Sequence, residues 1–235
     1  MQKQIKDSNI KYIQLLSLIV VISITTFFGA RFLPHQLSVG AFKNTTLTPT
    51  IVIDAGHGGF DGGATSCFGY LEKDINLSIA LKLEGILKTL GFKTVMTRTD
   101  DTALASTKKD DMYARLEIVN TTYDSIFVSI HQNHFSQSQY YGAQMFYGSK
   151  NEEESKKLAA ILKDNFKKNI NSQNKREIKK APSDLFLFKK AQTPSVLVEC
   201  GFLSNENEAK WLAQSEYQTK IAFTIAQSIC EYFEA

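Results

Sequence analysis

Apolar positions along this chain change period repeatedly, and each change marks an element. Ile51, Val52 and Ile53 form a short β-branched run, the pattern of a buried strand, which breaks at once into a glycine-rich loop around His57. Ile75, Ile79, Leu83, Ile86, Leu87 and Leu90 then recur at helical spacing, and Gly91 ends that helix. Residues 93–98 predict a strand, 111–120 a helix, 125–130 a second fully apolar strand and 142–147 another. Leu158, Ile161, Leu162 and Phe166 give an amphipathic helix, and the acidic run 152–154 suits its N-terminus electrostatically. Residues 195–198 predict a third core strand and 216–233 a closing helix. Strands alternating with helices predict an α/β fold, a single-domain open, mostly parallel twisted sheet with helices on both faces.

The first 49 residues follow a different pattern. Lys3, Lys6 and Lys11 precede an uncharged run over 13–30 rich in Leu, Ile, Val and Phe. Its length falls between a signal-peptide core and a full membrane span. Small-residue cleavage pairs are poor directly after it, and Val39-Gly40-Ala41 lies well beyond. The reading is an uncleaved signal-anchor that meets the membrane with its lysines on the cytoplasmic side, the chain from residue 50 to 235 being exported. A cleaved signal is the alternative.

Composition adds little beyond this. A hydrophobic content of 43% is ample for a core, and a net charge of +3 is too mild to argue for nucleic acid. It is compatible with an acidic polymer such as a cell-wall glycan. Cys67, Cys200 and Cys230 are odd in number with no CxxC pairing. They read as unpaired thiols, Cys200 and Cys230 buried, with a Cys67–Cys200 bridge as the alternative.

The chemistry collects where strands stop. The three apolar strands end in His57, His131 and Glu199, and Glu72 follows the glycine loop just ahead of a helix. In open α/β folds, ligands gather at the carboxyl ends of the strands. A phosphate cradle is the competing reading of the loop, but neither a P-loop Lys-Ser/Thr nor a G-x-G-x-x-G spacing is present. Two imidazoles and a carboxylate make the ligand set of a catalytic zinc site, and a further carboxylate can move protons for it. The same residues could instead be satisfied structural polar groups. Spacing alone leaves both open.

The motifs go further. Residues 53–59 (Ile-Asp-Ala-Gly-His-Gly-Gly), Glu72-Lys73-Asp74-Ile75-Asn76-Leu77, Thr97-Arg98, Arg115 with Asn120, residues 129–133 (Ser-Ile-His-Gln-Asn) and residues 198–205 (Val-Glu-Cys-Gly-Phe-Leu-Ser-Asn) stand in this order. Over residues 50–235 the chain resembles the zinc-dependent N-acetylmuramoyl-L-alanine amidases that cut bacterial peptidoglycan. The resemblance implies one zinc ion held by His57, Glu72 and His131, with Glu199 as the catalytic glutamate, acting on glycan strands that carry stem peptides. The size, the single N-terminal hydrophobic segment and the lack of wall-binding repeats look like the germination-specific, spore-cortex type. That type implies work in the forespore or cortex space of a spore-forming bacterium, on the way to muramic-δ-lactam, with a muramic-acid deacetylase acting on the product. Some relatives are regulated by an accessory activator protein, which the sequence neither requires nor rules out here.

Other residues carry open roles. Asp54 and Asn133 sit beside the implied ligands and could orient them, or could serve turn and strand-end chemistry. Arg98 could pair a substrate carboxylate or act as a structural ion-pair partner. Arg115 and Asn120 read as stabilising their helix and its connection, and Ser204 or Asn205 as a helix cap. His134 departs from the family pattern. It is read as an inert surface histidine, a fourth ligand and a substrate contact being the alternatives. Cys200 must point away from Glu199, into the core. The basic stretch 175–180 reads as a solvated loop, or as a contact for an anionic glycan. Two other functions compete with the amidase, a non-catalytic wall-binding scaffold on the same fold and a zinc carboxypeptidase.

Overall fold

The computed structural model describes residues 49–235, so the N-terminal signal-anchor expectation lies outside the described residues. Six strands form one sheet: β1 (Thr50–Ala55), β2 (Lys93–Met96), β3 (Ser125–Asn133), β4 (Gln144–Tyr147), β5 (Lys179–Lys180) and β6 (Ser195–Phe202). Their order is β2-β1-β3-β6-β4-β5. β2, β1, β3 and β6 are parallel, β4 runs antiparallel to its neighbour β6, and β5 is parallel to β4. The helices are α1 (Glu72–Thr89), α2 (Lys108–Thr121), α3 (Glu152–Asn169), α4 (Phe186–Lys190), α5 (Glu206–Leu212) and α6 (Ser215–Glu234). This is the expected mostly parallel sheet with helices on both faces.

Side-chain alternation along the central strands divides the core in two. Ile51, Ile53, Ile126, Val128, Ile130, Val196 and Val198 pack with Ile79 and Leu83 of α1, Leu158 and Leu162 of α3, and Ile221 and Ile225 of α6. The alternate positions Val52, Phe127 and Leu197 pack with Val119 of α2 and with Leu187 and Phe188 of α4. Phe127 and Phe188 stack at 5.6 Å between ring centroids. Continuing that second face towards the strand ends, Val52 gives way to Asp54, Phe127 to Ser129 and His131, and Leu197 to Glu199. The face that holds the smaller core therefore carries the chemistry.

Several boundaries differ from the sequence expectation. β2 stops at Met96 because Thr97 and Arg98 turn inward to bond Asp54 and the carbonyls of Ala55 and Gly56. α2 starts at Lys108 because the Thr107 hydroxyl caps the backbone N–H of Asp110. Asn205, not Ser204, caps α5, accepting from the N–H groups of Asn207 and Glu208. Lys179 and Lys180, within the stretch read as loop, pair with β4 and stay exposed. All three cysteines are free, with Cys200 buried, Cys230 half-buried and Cys67 exposed, so Cys67 and Cys200 do not pair.

Candidate active site

Register brings the strand-end residues together. His131 on β3 is paired with Glu199 on β6, and Asp54 on β1 with Ser129 on β3. Partners on adjacent strands point to the same face. Just past the end of β1, His57 adopts a positive φ of 63°, a backbone state that non-glycine residues rarely hold. That state is fixed from outside: Arg115 donates to the His57 carbonyl, and Gly58 and Asp61 exchange backbone hydrogen bonds at 2.9 and 3.1 Å.

Glu72 opens α1 and reaches back across the loop. Its Oε1 meets His131 Nδ1 at 2.9 Å and accepts from the backbone N–H of Gln132, while its Oε2 meets His57 Nε2 at 3.2 Å and accepts from Ala64 N–H. Burial alone would raise the Glu72 carboxyl, but the hydrogen bonds to His131 and His57 outweigh it and hold the group well below the usual range. Burial opposes charge on His131 as well, yet its bond to Glu72 prevails and pushes the imidazole up to about 9. One donor atom from each of His57, Glu72 and His131 lies within 4.8 Å of the other two. Such a triad of two imidazoles and a carboxylate fits a zinc-type ion with a coordination position to spare.

Two glycines make the approach. A Cβ at Gly63 would lie 2.6 Å from Glu72 Oε2 and 2.7 Å from the His57 ring, and one at Gly56 would lie 2.1 Å from His131 Nε2. Only a residue without a side chain lets the backbone pass so close.

Glu199 stands apart from the triad. Its Oε2 is buried and without a hydrogen-bond partner among the described residues. Burial pushes its carboxyl up to about 7, and Glu72 adds to the rise, while His131 and His57 oppose it. An unpaired buried acceptor is costly unless it serves something else.

The remaining residues take structural places around the triad. Asp54 does not touch an imidazole. It binds Arg115 at 2.7 Å and accepts from Thr97 and Ser129, anchoring the floor of the site. Arg98 faces no open space, since its guanidinium donates to the carbonyls of Ala55, Gly56, Lys73 and Asp100. It is a backbone tie between β1 and α1, not a reader of substrate. Arg115 is likewise buried, held by Asp54 and Asp111. Asn120 accepts from Gln192 N–H and so ties the end of α2 to the loop before β6. Asn133 ends β3, where its carbonyl accepts from Leu203 N–H, and His134 is exposed in the loop that follows. Neither belongs to the His57–Glu72–His131 triad.

Sequence reading missed Asp61. Its carboxylate meets His57 Nδ1 at 3.0 Å and Lys108 Nζ at 3.0 Å, and accepts from Gly63 N–H. A His57 ring that donates from Nδ1 to Asp61 keeps its Nε2 lone pair turned to the triad. Burial opposes charge on Asp61, but the bonds to His57 and Lys108 hold it down at about 2. The only signal in the sequence was an acid four residues after His57 in a glycine-rich loop. The α4 wall was missed too. Together with α2 it bounds a cavity of about 330 Å³ that includes His57, His131, Glu199, Met112 and Phe186.

The comparisons agree with one another. The family profile for N-acetylmuramoyl-L-alanine amidase matches residues 51–231. A germination-specific N-acetylmuramoyl-L-alanine amidase of Bacillus subtilis is 34% identical over 191 residues, covering 78% of this chain and 79% of the relative. Among solved structures, the CwlD amidase of Clostridioides difficile, in complex with the GerS lipoprotein, is 41% identical with a TM-score of 0.74, over 79% of this chain and 98% of that one. The amidase AmiC2 of Nostoc punctiforme is 30% identical with a TM-score of 0.72, over 81% and 100%. With the profile spanning strands β1 to β6 and all the residues that converge at their ends, this chain belongs to the N-acetylmuramoyl-L-alanine amidase family.

Proposed function

We propose that this peptidoglycan amidase hydrolyses the bond between N-acetylmuramic acid and L-alanine with one zinc ion held by His57 Nε2, Glu72 and His131 Nδ1. The observation that carries the reading is the unpartnered buried oxygen of Glu199 beside three donor atoms that close on one point. Zinc, when bound, supplies a Lewis acid that polarises the amide carbonyl and makes water a better nucleophile. Glu199 accepts the proton of the attacking water as its oxygen bonds to the carbonyl carbon. It then returns that proton to the alanine nitrogen as the C–N bond breaks, leaving a lactyl carboxylate and a free amine. Asp61 orients His57, and the Asp54–Arg115 pair holds the loop that carries it.

The biological setting follows the relatives. The germination-specific Bacillus subtilis amidase supports a role in the spore cortex, ahead of a muramic-acid deacetylase on the way to muramic-δ-lactam. The CwlD structure contains a lipoprotein, which supports an accessory partner here. Such work lies outside the cytoplasm, consistent with an N-terminal signal-anchor and a catalytic domain over residues 50–235. Among the described residues no helix is long and apolar enough to cross a membrane.

Digestion of defined peptidoglycan by the protein, with zinc and after chelation, tests the reading. Zinc-dependent appearance of free muramic lactyl carboxylates is expected. Release of a terminal amino acid instead would identify a carboxypeptidase, and zinc binding with no product a scaffold.

A further inference from the structure

The cavity beside the triad is walled by α2 and α4 and lined by Met112, Phe186 and Leu187. Its volume of about 330 Å³ sits at the small end of the roughly 300–1,000 Å³ typical of ligand pockets. A glycan strand is a continuous polymer and must run along an open surface, whereas a peptide branch can enter a walled cavity. The cavity therefore suits the peptide side of the scissile bond better than the glycan side.

Two basic residues line it, Arg115 and Lys108. Arg115 is 2% exposed and committed to Asp54, Asp111 and two backbone carbonyls. Arg98, for which pairing a substrate carboxylate was one of two open roles, is spent on four backbone carbonyls. Lys108 differs. Its side chain is 68% exposed, and Asp61 takes one of the three donors of its ammonium. The same Asp61 oxygen meets His57 Nδ1 at 3.0 Å and Lys108 Nζ at 3.0 Å, so the ammonium sits one carboxylate away from the triad. Asp61 bridges His57 and Lys108 through two contacts of 3.0 Å each, a span comparable with one to two extended peptide residues of roughly 3.3–3.6 Å. Asp184, the exposed acid on the opposite wall, cannot take a carboxylate.

We propose that Lys108 is a specificity-determining residue, its ammonium pairing with the free carboxylate of the stem-peptide residue that follows the alanine. The proposal rests on the amidase reading above. Lys108 shares Asp61 with His57, so a substrate carboxylate seated there joins a network already fixed at the reacting centre. That arrangement makes the enzyme sensitive to the charge at this peptide position, which amidation removes.

The test compares two soluble muramoyl peptides, one with glutamate after the alanine and one with its free carboxyl converted to the carboxamide. Between the strength of an exposed ion pair and that of a charge-assisted hydrogen bond, the parent enzyme is expected to prefer the carboxylate by about 5- to 30-fold in kcat/KM. Lys108→Met should cleave the two peptides at equal rates, and Lys108→Arg should keep the preference. Zinc content and melting temperature are measured on the same preparations. A parent enzyme without the preference overturns the proposal, as does Lys108→Met that keeps it while losing rate on both substrates. In that second case Lys108 serves only to hold Asp61. A parent that binds zinc and cleaves neither peptide nor intact peptidoglycan overturns the amidase reading itself.

Discussion

His131 and Glu199 are register partners on two adjacent parallel strands, so the sheet itself sets an imidazole and a carboxylate side by side on one face. The imidazole is engaged by Glu72 at 2.9 Å, whereas Glu199 keeps an unpartnered oxygen. On the proposed mechanism, this asymmetry separates a group that holds from a group that moves protons. Glu199→Gln should lower turnover by about 100- to 10,000-fold, the usual worth of general acid–base catalysis. Zinc content should remain that of the parent, as shown by metal analysis of the preparation used for kinetics. A variant without zinc would make Glu199 a ligand.

The triad makes the opposite prediction. His57→Ala and His131→Ala should lose zinc and activity together, because each removes one of three donors. Asp61→Asn should bind zinc about 10- to 100-fold more weakly, the typical cost of losing a carboxylate that orients a ligating histidine. Competition against a chromophoric chelator reads this directly, without reference to turnover. Unchanged affinity in Asp61→Asn would assign the orientation of His57 to its backbone alone.

The buried pair Asp54–Arg115 gives a prediction on stability and pH. Their side chains are 1% and 2% exposed. Removing one partner strands the other, so Arg115→Met should cost about 3–5 kcal/mol in denaturant unfolding. Burial would raise the Asp54 carboxyl, but Arg115, His131, Ser129 and Thr97 together hold it below its ordinary value. A group depressed in the folded state stabilises the protein above its unfolded pKa, about 3.9 for aspartate. That contribution is lost as pH falls through the folded value. Parent stability should therefore drop steeply below about pH 4, and Arg115→Met should show a shallower acid slope. Equal slopes in urea titrations from pH 6 to pH 3 would remove Asp54 from the account.

The fold was legible where burial writes a continuous signal. The runs at 51–53, 125–130 and 195–198 are apolar because both faces of those strands are covered, and strands of that kind end where ligands sit. The convergence of His57, Glu72 and His131 could be read as far as strand ends and motif order allow. What stayed hidden depends on direction in space. Arg98 follows a strand, the place of a substrate-facing arginine as well as of a structural one, and only the path of the 55–56 backbone shows it turned inward. Asp61 lies in a loop without periodicity, and α4 spans five residues, too few to show a helical repeat.

Gly56 offers a test of how closely the backbone itself shapes the site. It follows β1 and is not among the residues with positive φ, so alanine can adopt its conformation without backbone strain. An added Cβ would nevertheless lie 2.1 Å from His131 Nε2, 2.3 Å from Cε1 and 2.5 Å from Cδ2. The imidazole must move, and with it the Nδ1 that faces Glu72 at 2.9 Å. Overpacking of this kind typically costs about 1–3 kcal/mol, which a domain of this size can absorb. Gly56→Ala should therefore stay folded by circular dichroism, melt somewhat lower, and lose most of its zinc and turnover. Gly62→Ala is the matched control, since the nearest atom to its added Cβ is Leu71 Cδ2 at 3.8 Å and its φ is not positive. It should keep zinc, rate and melting temperature close to the parent. Should Gly56→Ala retain stoichiometric zinc and full rate, the ring of His131 has room that the structure does not give it, and its place in the triad must be abandoned.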